Sequence, residues 1–313
     1  MDYSENLFKS IERRNAEFNS LFYGADYLKG LQMNNLMRVV TKLDFKFLAD
    51  AVRLKIANKR FKKYQKKKKT LNESCGISTY QSYQELKEKK IVIYTCISGG
   101  YDTLKEPLLE FDNVAYICYT DDAAKIKKAE HTKWTIRQIP DHISEKYNKI
   151  LTNRYLKMHP KELFPDADYA VYVDGNIGIQ SFLGAYLVKT NISTGIAIFS
   201  HSQRQCAYAE ALVCISRKKG SKEAIEHQMA LYNKEGFPKD YGMYECTIIA
   251  SDLQNTTSAE VFDQWWKAFL QSKSYRDQLS LPYVIWKSGM DYNDIGCLGE
   301  NIFDDCRITV YNH

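Results

Sequence analysis

Five runs of the chain are apolar almost without interruption: "IVIYTCI" (91–97), "VAYICYT" (114–120), "YAVYV" (169–173), "GIAIFS" (195–200) and "YECTIIA" (244–250). Each is too short for a typical helix and is rich in β-branched and aromatic residues. None shows the strict alternation of a strand with one wet face. Such runs read as strands buried on both faces, which requires helices on both sides of the sheet. Helical patterns do lie between them, notably over 143–158, 204–218 and 221–234. Strands alternating with helices predict an α/β sandwich with a mostly parallel central sheet over residues 91–313. In such sheets ligands bind beyond the carboxyl ends of the strands, so the residues that follow each run are the ones to inspect for function.

The first 70 residues have a different texture. They contain no proline, and apolar residues recur at helical spacings: Leu7, Ile11 and Phe18, then Leu48, Val52 and Ile56. Asp44 suits the N-cap of a helix from Phe45 onward. An α-helical N-terminal segment over 1–70 is therefore expected, followed by a linker over 71–90. Charge is divided along the same line. Residues 1–70 hold 17 Lys/Arg against 7 Asp/Glu, whereas the remainder holds 27 against 31. The basicity peaks in "RLKIANKRFKKYQKKKK" (53–69), with ten cations and no acid. That run is either a solvated helix end or a surface for an anionic partner, such as the cytoplasmic leaflet of a membrane. Nucleic acid is not expected, because only Phe61 and Tyr64 interleave the cations and no recognition motif is present. The opening "MDYSENLFKSIERR" carries acids and no apolar run, unlike a secretory signal. No stretch approaches the ~18 apolar residues of a membrane span. The eight cysteines are scattered without a CxxC pair. A reduced, cytoplasmic setting follows, peripheral to the membrane if the basic run engages it.

The strand ends hold a polar set. Ser98-Gly99-Gly100 follows the first run, and its glycines suit a sharp turn or a close backbone approach to a ligand. Asp121 and Asp122 follow the second, placed to accept hydrogen bonds from a ribose or base, or to cap a helix. Arg154 and Lys157, three apart, share a helix face ahead of the third run. They suit a diphosphate or remain surface charges. Asp174-Gly175-Asn176 follows the third run. Asp-Gly between apolar runs signals a hairpin turn, while an acid at the end of a central strand points into the ligand crevice, where a divalent cation takes oxygen ligands. The two readings are compatible, since a tight turn aims both side chains at one ion. His201, Arg204 and Glu210 follow the fourth run. A helix from about Gln203 would leave Arg204 and Glu210 six positions apart and out of register. Glu245 stands one residue inside the fifth run, where an acid is costly unless paired. Asp277 and Gln278 open a later helical stretch, as caps or as site residues.

The stretches "IYTCISGGYDTLKEP", "YICYTDD", "NRYLKMHPKELFPDADYAVYVDGNIGI", "HSQRQCAYAEA", "YGMYECTIIAS" and "RDQLSLPYVIWK" together resemble a glycosyltransferase-like family, formerly listed as a domain of unknown function. Its members occur in bacterial surface-polysaccharide clusters and in plant wall and mucilage proteins. The resemblance covers residues 91–290 and leaves 1–85 outside. It implies a GT-A type, Rossmann-like fold and a hexosyltransferase moving sugar from a nucleotide-sugar donor, uridine-based at family level, to a glycan or lipid-linked acceptor in surface-polysaccharide synthesis. It implies Mn2+ or Mg2+ held at an Asp-x-Asp-like motif by Asp174 and Asn176. Ser98, Gly99, Gly100, Asp121 and Asp122 would line the nucleotide. Arg154 and Lys157 would face its phosphates. His201, Arg204, Glu210, Glu245, Asp277 and Gln278 would surround the donor sugar and acceptor, with Glu245, Asp277 or Glu210 as the catalytic carboxylate. A hydrolase using the same carboxylates, or a non-catalytic sugar-nucleotide-binding subunit, would suit the same residues.

Overall fold

The computed structural model describes residues 3–22, 78–122 and 132–311. The basic run 53–69, the Asp44 cap and the helix expected after it lie outside the described residues. All five apolar runs are strands: β1 (Ile91–Ile97), β2 (Val114–Thr120), β4 (Tyr169–Val173), β6 (Ile196–Ser200) and β7 (Tyr244–Asp252). Four short strands complete the set: β3 (Thr135–Gln138), β5 (Ile177–Ile179), β8 (Gly296–Cys297) and β9 (Ile308–Val310). Seven strands form one sheet in the order β3-β2-β1-β4-β7-β6-β8, and β5 pairs with β9 in a second. The expected mostly parallel sheet is present, and β7 alone runs against its neighbours.

Ten helices surround the strands among the described residues: α1 (Glu5–Phe22), α2 (Thr79–Leu86), α3 (Asp141–Ser144), α4 (Lys149–Met158), α5 (Pro160–Leu163), α6 (Gly184–Leu187), α7 (Ala207–Ser216), α8 (Lys222–Lys234), α9 (Thr256–Ser272) and α10 (Asp277–Lys287). They make the sheet a middle layer. Val92, Tyr94 and Cys96 of β1 point into one core with Leu156 of α4, Trp265 of α9 and Leu281 of α10. Ile91, Ile93 and Ile97 point into the other, with Phe8 of α1, Leu86 of α2 and Tyr186 of α6. Burial on both faces is why the run is apolar throughout.

Several local expectations are corrected. The linker over 71–90 gives way at its end to α2, closed by a capping box between Ser78 and Gln81. The pattern over 143–158 splits into α3 and α4, because Asn148 caps a new helix by accepting from the Leu151 N–H. The helical spacing of Leu7, Ile11 and Phe18 is realised in α1, with Ile11 partly buried against the core. Phe18 is 45% exposed, and Phe8, Asn15 and Asn19 are buried in its place. Both asparagines bond to the backbone near β9, so this helix docks through polar groups that an apolar spacing rule does not count.

Candidate functional site

The carboxyl ends of β1, β2, β4 and β6 share one edge of the sheet, and the reversal of β7 brings its beginning to the same edge. Pairing of β6 with β7 jumps from Ile198–Ile249 to Phe199–Glu245. The irregularity sits beside Asp174, whose N–H donates to the Thr247 carbonyl at 2.9 Å. Bulges of this kind re-aim side chains near sites. Glu245, inside an apolar run in sequence, thus stands at the ligand edge.

Asp174-Gly175-Asn176 is a turn, with the Ile177 N–H donating to the Asp174 carbonyl at 3.0 Å. It is not a hairpin: β5 leaves the main sheet and pairs with β9. Gly175 is needed for close approach. A Cβ there would lie 2.9 Å from both Asp102 Oδ2 and Ile97 Cγ1. Tyr172 OH donates to Asp174 Oδ1 at 2.9 Å, and Asn176 Nδ2 donates to the Tyr311 carbonyl at 2.8 Å.

Behind the turn lies a buried ion network. Lys157 Nζ is 2.8 Å from Asp277 Oδ2 and 3.7 Å from Asp174 Oδ1. Arg154 Nε is 2.9 Å from the same Asp277 oxygen. The two cations on one helix face therefore converge on one carboxylate rather than lying on the surface. Burial alone would raise the Asp277 pKa, but Arg154 and Lys157 hold it well below the usual range. Asp277 is no cap: α10 has no side-chain cap bond, and its first carboxylate faces inward. Gln278 Nε2 donates to the Tyr244 carbonyl at 2.9 Å, tying α10 to the start of β7.

A second network stands beside the first. The helix after β6 starts at Ala207, later than expected, so Arg204 lies in the preceding loop and does meet Glu210 through its Nε. His201 Nδ1 accepts the N–H groups of Gln203 and Arg204, both at 3.1 Å. Its Nε2 faces Glu210 Oε2 at 3.5 Å, Glu245 Oε2 at 3.9 Å and Arg204 Nη2 at 3.3 Å. Burial lowers the His201 pKa to about 4, so the ring is neutral near pH 7. Burial would raise Glu210, but Arg204 and His201 keep it below its usual value. Glu245 behaves oppositely. Burial, with the negative charges of Glu210 and Asp174, raises it to about 7, against the Thr247 hydroxyl bond and Lys157. Its side chain is nonetheless 25% exposed, open to a substrate.

The loops that follow β1 and β2 form a third group. Gly99 and Gly100 both have left-handed φ, +66° and +68°. The Gly99 N–H donates to Asp121 Oδ1 at 2.7 Å, and Lys149 Nζ is 3.9 Å from Asp121 Oδ2. Ser98 Oγ donates to the Lys149 carbonyl at 3.4 Å. Asp122 follows, its N–H donating to Thr120 Oγ1.

Sequence reasoning missed five contributors. Asp102 packs on Gly175, although it sits in the "SGGYD" stretch already noted. Lys149 is the helical neighbour of the first loop. Tyr172 holds Asp174, and Thr247 holds Glu245. Arg276, one residue before Asp277, adds positive charge that helps lower the pKa of both Glu210 and Asp277. It follows Lys273 and Tyr275, two non-glycine residues with positive φ, strain of the kind that gathers at sites.

The donor set defines which metal could fit. Among the described residues no group of three His, Cys, Asp or Glu gathers to hold an ion. Asp174 has one oxygen on Tyr172, and the Asn176 amide is anchored at its nitrogen. One carboxylate and one amide fit Mg2+ or Mn2+ that arrives with substrate phosphates, since such ions use one or two carboxylates and complete their shell with phosphate and water.

A cleft of about 470 Å3 lies at the opposite edge, lined by Lys90, Asp112, Arg137 and Phe164 among others. It is remote from these carboxylates. No curated protein matches the chain. Among solved structures, the chain is similar to an apo structure of the bifunctional glycosyltransferase WbbM, with 12% identity and a TM-score of 0.42 over 67% of this chain and 39% of that one. It therefore spans about two fifths of that protein. It is also similar to mouse xyloside xylosyltransferase 1 in its apo form, with 8% identity and a TM-score of 0.39 over 66% of this chain and 83% of that one. The profile described as TOD1/MUCI70, glycosyltransferase-like domain, matches residues 57–311, beginning earlier than the sequence resemblance did, and the chain belongs to that family.

Proposed function

We propose that this protein is a glycosyltransferase that moves a sugar, a hexose in the first instance, from a nucleotide-sugar, UDP-linked at first trial, to a hydroxyl of a glycan or lipid-linked acceptor in surface-polysaccharide synthesis. The observation that carries the reading is the contrast among three neighbouring carboxylates. Asp277 and Glu210 are locked to cations and held weakly basic, whereas Glu245 is raised to about 7 and partly open. A general base works best when its pKa lies near the working pH.

In this mechanism Glu245 accepts the proton of the acceptor hydroxyl. In an inverting reaction that oxygen forms a bond to the anomeric carbon from the side opposite the nucleotide, and the bond to the diphosphate oxygen breaks with its electron pair. Lys157 and Arg154 fix the electrostatics behind Asp174. Gly99, Gly100, Asp121 and Lys149 hold the nucleoside side. Mg2+ or Mn2+, if bound with the donor at Asp174 and Asn176, would supply positive charge to the leaving diphosphate. The basic run 53–69 would hold the enzyme at an anionic membrane surface near a lipid-linked acceptor.

The first test is calorimetric titration of UDP, with and without Mn2+, into the wild-type protein and Asp174→Ala. Metal-enhanced binding that falls at least about tenfold in the variant is expected. Equal binding in the two proteins would remove Asp174 from the donor site. Donor turnover in water as fast as with the best acceptor would make the enzyme a hydrolase.

A further inference from the structure

Helix α1 lies before residue 57, where the family match begins. Its buried asparagines nevertheless act on the strand that holds the candidate donor turn. Asn15 Nδ2 donates to the Ile308 and Cys306 carbonyls, each at 2.9 Å, and Asn19 Nδ2 donates to the Ile308 carbonyl at 2.8 Å. The Thr309 hydroxyl is 3.0 Å from both asparagine Oδ1 atoms. On its other edge β9 pairs with β5 from Ile308–Ile179 to Val310–Ile177. One step beyond, Asn176 and Tyr311 exchange two bonds: Tyr311 N–H to the Asn176 carbonyl at 2.9 Å, and Asn176 Nδ2 to the Tyr311 carbonyl at 2.8 Å. The Tyr311 ring fills the space a Cβ on Gly178 would need, 2.7 Å away. A continuous set of hydrogen bonds thus runs from α1 through β9 to Asn176.

We propose that α1 braces the Asp174–Asn176 turn, and that Asn15 and Asn19 are positioning residues for the donor site. β9 has two edges. One clasps the turn, and these amides cover the other at Cys306 and Ile308. A two-stranded ribbon is marginal alone, so the geometry of the turn depends on what covers its outer edge. The metal and phosphate roles of the turn rest on the function proposed above. The brace itself does not.

The test compares Asn15→Ala/Asn19→Ala with Phe8→Ala in the full chain. Phe8 is a buried α1 residue whose ring contacts are Tyr3, Tyr83 and Phe111, with no hydrogen bond to β9 from its side chain. Hydrogen exchange at the Ile177 and Tyr311 amides is read without ligand, and UDP affinity with Mn2+ is read beside it. The double variant is expected to speed exchange at both amides about tenfold or more and to weaken UDP binding severalfold, with Phe8→Ala near wild type in both. Wild-type exchange in the folded double variant, or equal acceleration in Phe8→Ala, would overturn the brace. If the double variant does not fold, Thr309→Val carries the same test, with Thr309→Ser expected to restore wild-type exchange. If the wild type binds no UDP, the donor assignment falls, and the exchange measurements still decide the brace.

Discussion

Glu245 and Asp277 show how neighbouring acids acquire opposite characters. Asp277 has two cations within 2.9 Å and is held ionised. Its contribution to stability is present above the ordinary carboxylate pKa and is lost as the pH falls below it. Asp277→Asn would leave Lys157 and Arg154 buried without their counter-charge. It should cost on the order of 3–5 kcal/mol, read as a lowered urea midpoint at pH 7. A shift under about 1 kcal/mol would show that the pair is solvated. Glu245 carries the reverse sign. The folded state keeps its proton up to about pH 7, whereas the unfolded chain releases it near 4.5. Its stabilising contribution is full below about pH 4.5 and is lost as the pH rises through 7. Glu245→Gln should therefore gain stability relative to wild type between pH 5 and 8, by at most roughly 3 kcal/mol. The same change should lower transfer by about 10²–10⁴ and erase the acidic limb of the pH–rate profile. A folded variant that keeps both its rate and that limb would exclude Glu245 as the base.

Elements decide which side chains meet. Gly175→Ala would set a methyl 2.9 Å from Ile97 Cγ1, a buried strand atom, and from Asp102 Oδ2. The aspartate can swing aside and the isoleucine cannot, so the turn itself must move. UDP affinity should fall about tenfold with little change in melting temperature. Unchanged affinity would mean that the turn is not held by its contact with β1. These facts also mark what was legible in the sequence. The five long strands were legible, because burial on both faces leaves a run that only a covered sheet tolerates. The direction of β7 was not, since such a run reads alike in a parallel or a reversed strand. Yet that reversal brings Glu245 to the site. The short strands β5 and β9 carry too few residues for a periodicity. Residues nominated by position after a strand do gather at one edge. A helix starting at Gln203 gives Arg204 and Glu210 no need to meet, whereas the helix starts four residues later and leaves Arg204 in a loop that reaches Glu210. Tyr172 was passed over because a tyrosine inside an apolar run looks like core, and most of it is.

At the scale of the whole molecule, charge and fold are separated along the chain. The net charge of +6 is the sum of a strongly basic first 70 residues and a mildly acidic remainder. The site follows the remainder, with its ions balanced in pairs, and gives no reason for a block of ten cations at 53–69. None of the described helices is long and apolar enough to cross a membrane. On the proposed function, with a lipid-linked acceptor, the polybasic stretch would hold the enzyme at the bilayer. Each cation near an anionic surface is worth about 1 kcal/mol, so replacing Lys62, Lys63, Lys66, Lys67, Lys68 and Lys69 with Gln should lower vesicle binding on the order of ten-thousandfold. Flotation with phosphatidylserine-containing vesicles reads this directly. Binding should vanish with neutral vesicles and weaken as salt rises from 0.1 to 1 M, which shortens the screening length from about 10 to about 3 Å. UDP affinity should stay at the wild-type value if the run serves the membrane alone. Flotation that ignores both lipid charge and salt would show that membrane binding does not run through these cations, and no flotation even with anionic vesicles would leave the basic run to another anionic partner.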